Sequence, residues 1–90
     1  MTKQLFNTLM DKHEKLNEMN IHTWILLWVS EITNTVEYRE FYAPSYIEGE
    51  QWLNTVIKFY KYNKIPYVAY ENRNYKCSDG NLEAIVEIFR

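Results

Sequence analysis

Apolar side chains recur at helical spacing over the first twenty residues, and polar side chains fill the positions between them. The apolar face, with a histidine at its boundary, comprises Leu5, Phe6, Leu9, Met10, His13, Leu16 and Met19. This helical period predicts an amphipathic helix over residues 2–19. Thr2 is its expected N-cap, since a hydroxyl can accept a hydrogen bond from a free N–H group of the first turn, and Asn20 is its expected end.

β-Branched and aromatic residues dominate the next stretch, and these residue types favour strands. Residues 21–31 and 35–42 are predicted to form an antiparallel hairpin with a turn near Thr33 and Asn34. In the preferred register two aromatic pairs share one face: Trp28 with Tyr38, and Trp24 with Tyr42. The other face of the first strand is also apolar, so this strand is expected to be central or covered on both sides.

A second helix is predicted to begin after Pro44. Ser45 and Glu48 match a capping box, in which a hydroxyl and a carboxylate satisfy two otherwise free backbone donors. The inward stripe of this helix is expected to combine large residues with a glycine that allows close approach to the sheet. It comprises Gly49, Trp52, Leu53, Val56 and Tyr60. Asn63 is the expected C-cap before Pro66.

The last part of the chain alternates strand and turn patterns. Residues 67–71 and 75–77 are predicted to form a second hairpin around residues 72–74. Residues 82–90 favour a short helix, because their apolar side chains follow helical spacing, although a strand also fits them. The sequence therefore predicts one compact α+β domain over residues 1–90, of order α-β-β-α-β-β-α, with an antiparallel sheet packed by helices.

Composition bounds the compartment and the source of the protein. The chain carries a single cysteine, Cys77, so no internal disulfide can form and a cytoplasmic location is expected. The longest strongly apolar run, residues 24–29, is far too short to cross a bilayer, so no membrane partner is expected. Abundant Asn, Lys, Ile, Tyr and Glu are typical of AT-rich genomes, including those of many phages and other mobile elements.

Candidate chemistry is sparse in this sequence. His13, His22 and Cys77 are the nitrogen and sulfur ligands of note, and no two share a metal-type spacing, so no metal site is expected. Cys77 lies beside Lys76, which favours the thiolate, but no base can be assigned to it. Phosphate-binding glycine loops, dinucleotide fingerprints and metalloprotease helices are all absent from the sequence. We therefore expect no cofactor, no catalytic residue and no enzymatic activity.

Charge and aromatic residues carry the functional signal. The net charge is −2, yet residues 31–50 hold five glutamates and one arginine, whereas residues 58–76 hold five cations and one glutamate. Aromatic residues make up 17% of the chain, more than one small core readily buries. The three tryptophans lie at predicted inward positions. The rings expected to be exposed together are Tyr38, Tyr42, Tyr46 and Tyr62.

The leading hypothesis is a small protein-binding module, because exposed tyrosines are typical of interface hot spots. The composition favours a regulator or inhibitor from a phage or mobile element, for example an anti-defence protein that occludes a host or defence protein stoichiometrically. The expected contact residues are Glu37, Tyr38, Glu40, Tyr42, Tyr46 and Glu48. The same patch could serve as a homodimer face.

Two alternatives stay open. Cations interleaved with rings are typical of single-stranded nucleic-acid binding, and the residues that would serve it are Lys58, Lys61, Tyr62, Arg73 and Tyr75. Five cations on a net acidic domain make a weak field, so this alternative ranks second. A small-molecule binder at a dimer interface ranks third, since it needs a pocket that the sequence does not reveal.

Overall fold

Two helices and an antiparallel sheet account for most of what the computed structural model describes, namely residues 1–71 and the backbone of residues 74–78. The elements are α1 (Lys3–Glu18), β1 (His22–Val29), β2 (Val36–Ala43), α2 (Tyr46–Tyr62), β3 (Tyr67–Glu71) and β4 (Asn74–Ser78). The α+β class is confirmed, and so is the predicted order as far as the described residues extend. The predicted helix at residues 82–90 lies outside them.

Both helices begin at the predicted side-chain caps. The Thr2 hydroxyl accepts a hydrogen bond of 3.1 Å from the Leu5 N–H, and the Ser45 hydroxyl accepts one of 3.3 Å from the Glu48 N–H. The Ser45 hydroxyl also donates to the Glu48 carboxylate at 3.1 Å. Each cap therefore satisfies a backbone donor that the first turn would otherwise leave free.

The ends of the helices also agree with the sequence pattern. After α1 the chain turns at Asn20, whose φ of 62° is left-handed, a conformation that asparagine tolerates better than most residues. Asn63 caps α2, and its side-chain amide donates to the Phe59 carbonyl at 2.8 Å. In the described part of the chain, no helix combines the length and the apolar character needed to span a membrane.

The strands lie in the order β2-β1-β3-β4, and every neighbouring pair is antiparallel. Helix α1 packs on one side of this sheet and α2 on the other, here called the α1 face and the α2 face. Buried residues of the α1 side are Leu9, Met10, Ile25, Leu27, Val36 and Val68. Those of the α2 side are Trp24, Leu26, Leu53, Tyr60, Tyr67 and Ala69. Strand β1 is therefore central and covered twice, as its pattern predicted.

The predicted register of the first hairpin is wrong by one residue. Trp24 pairs with Phe41, and Tyr38 pairs with Leu27, across a connection of residues 30–35 that is longer than the expected three-residue loop. Because side chains alternate between faces, this shift places the two β2 tyrosines on the α1 face and the β1 tryptophans on the α2 face. The expected shared aromatic face does not form, and Trp24 instead stacks on Phe41 with 3.9 Å between ring centroids.

The predicted inward stripe of α2 is correct except at one position. Gly49, Leu53 and Tyr60 are buried, but Trp52 is 44% exposed. At about 100° per residue, Gly49, Leu53 and Tyr60 fall within about 40° of one another, whereas Trp52 lies roughly 80° from their centre. Its ring therefore reaches the border of the helix–sheet interface rather than the core.

Candidate protein-binding surface

Strand β2 forms an edge of the sheet. It pairs with β1 along all eight of its residues, and within residues 1–71 and 74–78 no strand pairs with its outer side. An edge strand presents a row of N–H and C=O groups that can pair with another chain. Four of the six residues expected to contact a protein, Glu37, Tyr38, Glu40 and Tyr42, lie on this strand.

Two tyrosines of β2 stand on the α1 face and remain accessible. Tyr38 is 39% exposed and Tyr42 is 43% exposed. The Tyr42 ring stacks on the imidazole of His13 with 5.6 Å between centroids, and the Lys12 ammonium lies 5.7 Å from its centre. Tyr42 is thus held in place by α1, and its exposed side is a rigid contact surface of the kind that favours binding.

Beneath these rings, a chain of hydrogen bonds ties α1 to both β1 and β2. The Asn17 amide donates to the Thr23 hydroxyl at 3.3 Å, and that hydroxyl lies 2.7 Å from Nδ1 of His13. Nε2 of His13 lies 3.0 Å from Oε1 of Glu40, and the Lys12 ammonium also donates to this oxygen at 3.0 Å. Each of these side chains therefore has a hydrogen-bond partner within the link, as burial of polar groups requires.

Burial and hydrogen bonding determine the protonation states of His13 and Glu40 in this link. Burial of the imidazole lowers the pKa of His13, against the opposing pull of the neighbouring Glu40 carboxylate. The pKa of Glu40 is also lowered: its partial burial acts to raise it, but hydrogen bonds from His13 and Lys12 outweigh that effect. Neutral His13 then donates from Nε2 to the ionised carboxylate and accepts from the Thr23 hydroxyl at Nδ1.

The order hydroxyl, imidazole, carboxylate is also that of a hydrolase triad. Catalysis would require a substrate to reach the Thr23 hydroxyl, but Thr23 is 0% exposed and His13 is 1% exposed. The side chains cover each other inside the helix–sheet interface. We therefore interpret Thr23, His13 and Glu40 as a structural link that fixes β2 against α1.

The remaining predicted contact residues lie elsewhere on the surface. Glu37 alternates with Tyr38 and so points to the α2 face. Tyr46 and Glu48 are exposed in the first turn of α2, where the Tyr46 ring packs edge-on against His22 at 4.9 Å. The predicted set is therefore not one patch, since the structure divides it between the two sides of the β2 edge.

A groove runs along each side of this edge. On the α2 side, a groove of about 370 Å³ is lined by Arg39, Phe41, Thr55, Val56, Phe59 and Tyr60. On the α1 side, a groove of about 290 Å³ is lined by Met1, Leu5, Val36, Glu37 and Tyr38. Most of the residues that line each groove are apolar or aromatic, which suits the side chains of a peptide.

The alternative nucleic-acid residues are only partly described. Lys58, Lys61 and Tyr62 stand at i, i+3 and i+4 near the end of α2, so they share one helix face, and all three are exposed. Tyr62 is the most exposed tyrosine in the described residues, at 87%. Arg73 and the side chain of Tyr75 lie outside the described part of the chain.

A further group of side chains was missed by reasoning from spacing. Donor atoms of His22, Glu50 and Glu71 lie within 4.8 Å of one another, although these residues are far apart in sequence and belong to β1, α2 and β3. The expectation that no metal-type cluster exists was based on spacing along the chain, which does not detect a set of ligands from three elements.

The link through His13 was also not anticipated, because its partners Thr23 and Glu40 come together only when β1 pairs with β2 beneath α1. One signal was present: His13 lies on the apolar side of α1, where a polar ring needs a partner.

Comparison of the chain with known proteins found no match. No protein-family model, curated protein or solved structure matches it.

Proposed function

We propose that this chain is a protein-binding module that uses the outer edge of β2 to pair with an extended segment of its target. The AT-rich composition and lone cysteine favour a phage or mobile-element inhibitor that acts in the cytoplasm by occluding a host or defence protein. The observation that carries the proposal is the regular eight-residue edge of β2, which no strand within residues 1–71 and 74–78 covers.

In this mode of binding, the extended segment of the target adds to the sheet as a further strand. The mode requires unpaired backbone groups along an edge and pockets on both sides of the sheet. The backbone of an added strand supplies hydrogen bonds, and its alternate side chains enter pockets on opposite sides of the sheet. The grooves beside β2 meet this need, since one contains Phe41 and the other Tyr38. Successive side chains of the target segment would therefore contact the two grooves in turn.

The charges along β2 indicate which target segment fits. Glu40 is already neutralised by Lys12, so Glu37 and Arg39 are the charges of β2 available to a partner. The Arg39 guanidinium lies 5.8 Å from the Trp28 ring centre, and Arg39 is exposed. A suitable segment would carry a cation opposite Glu37, a carboxylate opposite Arg39 and an apolar or aromatic residue over Tyr38.

The test is quantitative capture of targets from the native host by wild-type protein and by Tyr38→Ala and Tyr42→Ala variants, followed by affinity measurement on the captured target. Loss of the exposed Tyr38 ring should weaken binding at least about tenfold, as expected for an interface hot spot. Tyr62→Ala removes a more exposed tyrosine at the far end of α2 and should leave the affinity unchanged.

Tyr38→Ala is the more decisive variant, because Tyr42 also stacks on His13 and its loss could disturb α1. Unchanged affinity in Tyr38→Ala and Tyr42→Ala, with both variants folded by circular dichroism, would contradict the β2 surface. A wild-type protein that elutes as a dimer, and becomes monomeric in Tyr38→Ala, would identify the target of the edge as a second copy of the chain.

Single-stranded nucleic acid is the second candidate ligand, and the shared helix face of Lys58, Lys61 and Tyr62 is the observation in its favour. Phosphate contacts make binding fall steeply with salt, and a stacked ring contributes about 1–3 kcal/mol per base. Fluorescence titration of labelled oligonucleotides at low and high salt tests it. Binding that Tyr62→Ala weakens and Tyr38→Ala does not would replace the protein-binding proposal; no binding at low salt ends this candidate.

A further inference from the structure

Three side chains with metal-binding donors converge at one end of the sheet, on the α2 face. His22 begins β1, Glu50 lies in the second turn of α2, and Glu71 ends β3. One donor atom of each lies within 4.8 Å of the other two, and all three residues are partly buried. Because the ligands come from three separate elements, the fold itself holds them together, independently of the β2 edge.

The distance between two of these donors fits a shared metal ion better than a direct hydrogen bond. Nδ1 of His22 lies 3.6 Å from Oε1 of Glu71, which is longer than a hydrogen bond between such groups. Two ligands of a tetrahedral ion, each bound at about 2.0–2.1 Å, lie about 3.4 Å apart. A cation between Nδ1 and this carboxylate therefore requires almost no movement of either side chain.

The imidazole is also positioned by its surroundings. A β-carbon at position 49 would overlap Cδ2 of His22 and lie 2.8 Å from its Nε2, so only glycine lets the ring lie this close to α2. The Tyr46 ring packs edge-on against the same imidazole at 4.9 Å. The side chain of His22 is 10% exposed, and such a restrained ring loses little entropy when it binds a ligand.

We propose that Nδ1 of His22 and the carboxylates of Glu50 and Glu71 bind one first-row divalent cation, with Zn²⁺ as the best-fitting ion. One imidazole and two carboxylates form a borderline donor set that suits Zn²⁺, whereas Ca²⁺ and Mg²⁺ prefer oxygen ligands alone. Three protein ligands leave at least one coordination position for water or for a side chain of a binding partner. The ion would also link β1, α2 and β3, and so stabilise the fold.

Isothermal titration calorimetry of the untagged full chain with ZnCl₂, in a buffer that does not bind zinc, tests the proposal. The wild type should bind one Zn²⁺ per chain and should not respond to a large excess of MgCl₂ or CaCl₂. His22→Ala, Glu50→Gln and Glu71→Gln should each weaken binding at least about tenfold. Glu31→Gln, which removes the same charge from an exposed loop, should bind as the wild type does.

Two further variants separate this site from simpler explanations. Gly49→Ala keeps all three donors but displaces the imidazole, so it should weaken Zn²⁺ binding about tenfold while the helix content stays unchanged. Cys77→Ser should leave binding intact, since a lone thiol also attracts Zn²⁺.

Three results would overturn the proposal. The first is a wild type that binds no Zn²⁺. The second is binding that survives in His22→Ala and Glu71→Gln, and the third is binding that Cys77→Ser alone abolishes. Circular dichroism confirms that each variant folds; if His22→Ala does not, the nearly isosteric Glu50→Gln and Glu71→Gln decide the question.

Discussion

One face of the sheet is held by aromatic packing, whereas the other combines an aliphatic core with a buried chain of hydrogen bonds. On the α2 face, the Trp24 ring is 1% exposed and stacks on Phe41. Apolar burial is non-directional and contributes roughly 25 cal/mol per Å² of buried surface, so large rings contribute most. The core of this face should therefore respond mainly to loss of volume.

The α1 face depends on partners rather than on volume alone. His13 is buried, and its ring is linked to Thr23 on β1 and to Glu40 on β2. Hydrogen bonds are directional, and a group that loses its partner in a poorly solvated site becomes costly. We therefore expect apolar burial to stabilise the α2 face, and the polar link to specify how α1 sits on the sheet.

The largest effect is expected from removing volume on the α2 face. Trp24→Ala should lower the free energy of unfolding by about 3–5 kcal/mol, because it leaves a cavity between β1 and α2. Urea denaturation followed by circular dichroism measures this change. Trp52→Ala is the matched control: its ring is partly exposed, and a loss above about 1.5 kcal/mol there would contradict the division between core and border positions.

Removal of the polar link should be the next largest effect. His13→Ala takes a hydrogen-bond partner from both Thr23 and Glu40, and each buried group left without one costs about 1–3 kcal/mol. We expect a total loss of about 2–3 kcal/mol, since Glu40 keeps Lys12 and Thr23 keeps Asn17 as a partner. Equilibrium urea midpoints measure it. A loss under 1 kcal/mol would show that the α1 face, like the α2 face, depends on apolar burial alone.

Acid should weaken the α1 face before the α2 face. The folded pKa of His13 lies below its ordinary 6.5, so below pH 6.5 the unfolded chain binds a proton that the folded chain does not, and stability falls. The folded pKa of Glu40 lies below its ordinary 4.5, so its contribution is present above pH 4.5 and is lost as pH falls through the folded value. Urea midpoints measured from pH 7 to pH 4 should decrease.

The control for this pH dependence is His13→Ala, which should flatten the part of the curve between pH 7 and pH 5. An equal slope in the variant and the wild type would assign the titration to other groups. Trp24→Phe, which changes the α2 face and no titratable residue, should shift the whole curve without changing its slope between pH 7 and pH 5.

The helix caps allow a smaller comparison between the faces. Ser45→Ala on α2 and Thr2→Ala on α1 each remove one hydrogen bond to a first-turn N–H group, and each should cost about 1 kcal/mol. Thermal unfolding of the two variants, measured side by side, tests this. Both caps are exposed, so the two variants should lose similar stability. A loss several times larger in one variant would indicate that its helix contributes more to cooperative unfolding than the other helix does.

The smallest stability effect is expected at the proposed binding edge. Tyr38→Ala should change the free energy of unfolding by no more than about 0.5 kcal/mol, because its ring is exposed and lies outside both cores. The same urea measurement as above gives this value. A loss above 1.5 kcal/mol would mean that Tyr38 is a structural residue, and its effect on target binding would then need to be corrected for unfolding.

Local features of the fold were predictable from local sequence. The bounds of both helices agree with the pattern to within one or two residues, because Thr2, Asn20 and Ser45 act on backbone groups only a few positions away. Exposure of Tyr38, Tyr42, Tyr46 and Tyr62 was also anticipated from the surplus of aromatic residues. The expectation that they are exposed together was wrong, because Tyr46 and Tyr62 lie at opposite ends of α2, away from the two tyrosines of β2. Whether these tyrosines bind a protein stays a prediction.

Contacts between distant residues could not be predicted in the same way. The hairpin connection has six residues rather than three, and the pairing of β1 with β2 differs from the predicted register by one residue. That shift places every β2 side chain on the face opposite to the predicted one. The sites at His13 and His22 likewise could not be predicted. Each joins residues from three elements, and the spacing of those residues along the sequence does not indicate that they meet.

The amino-acid sequence by itself determined the class of fold, the extent of the helices and strands, and the double coverage of β1, since these follow from periodicity and capping over a few residues. Only the tertiary structure decided which side chains share a face and which donors meet. The physical reason is the two-residue period of a strand: a shift too small for any propensity to detect separates Tyr38 from Trp28 across the full thickness of the sheet.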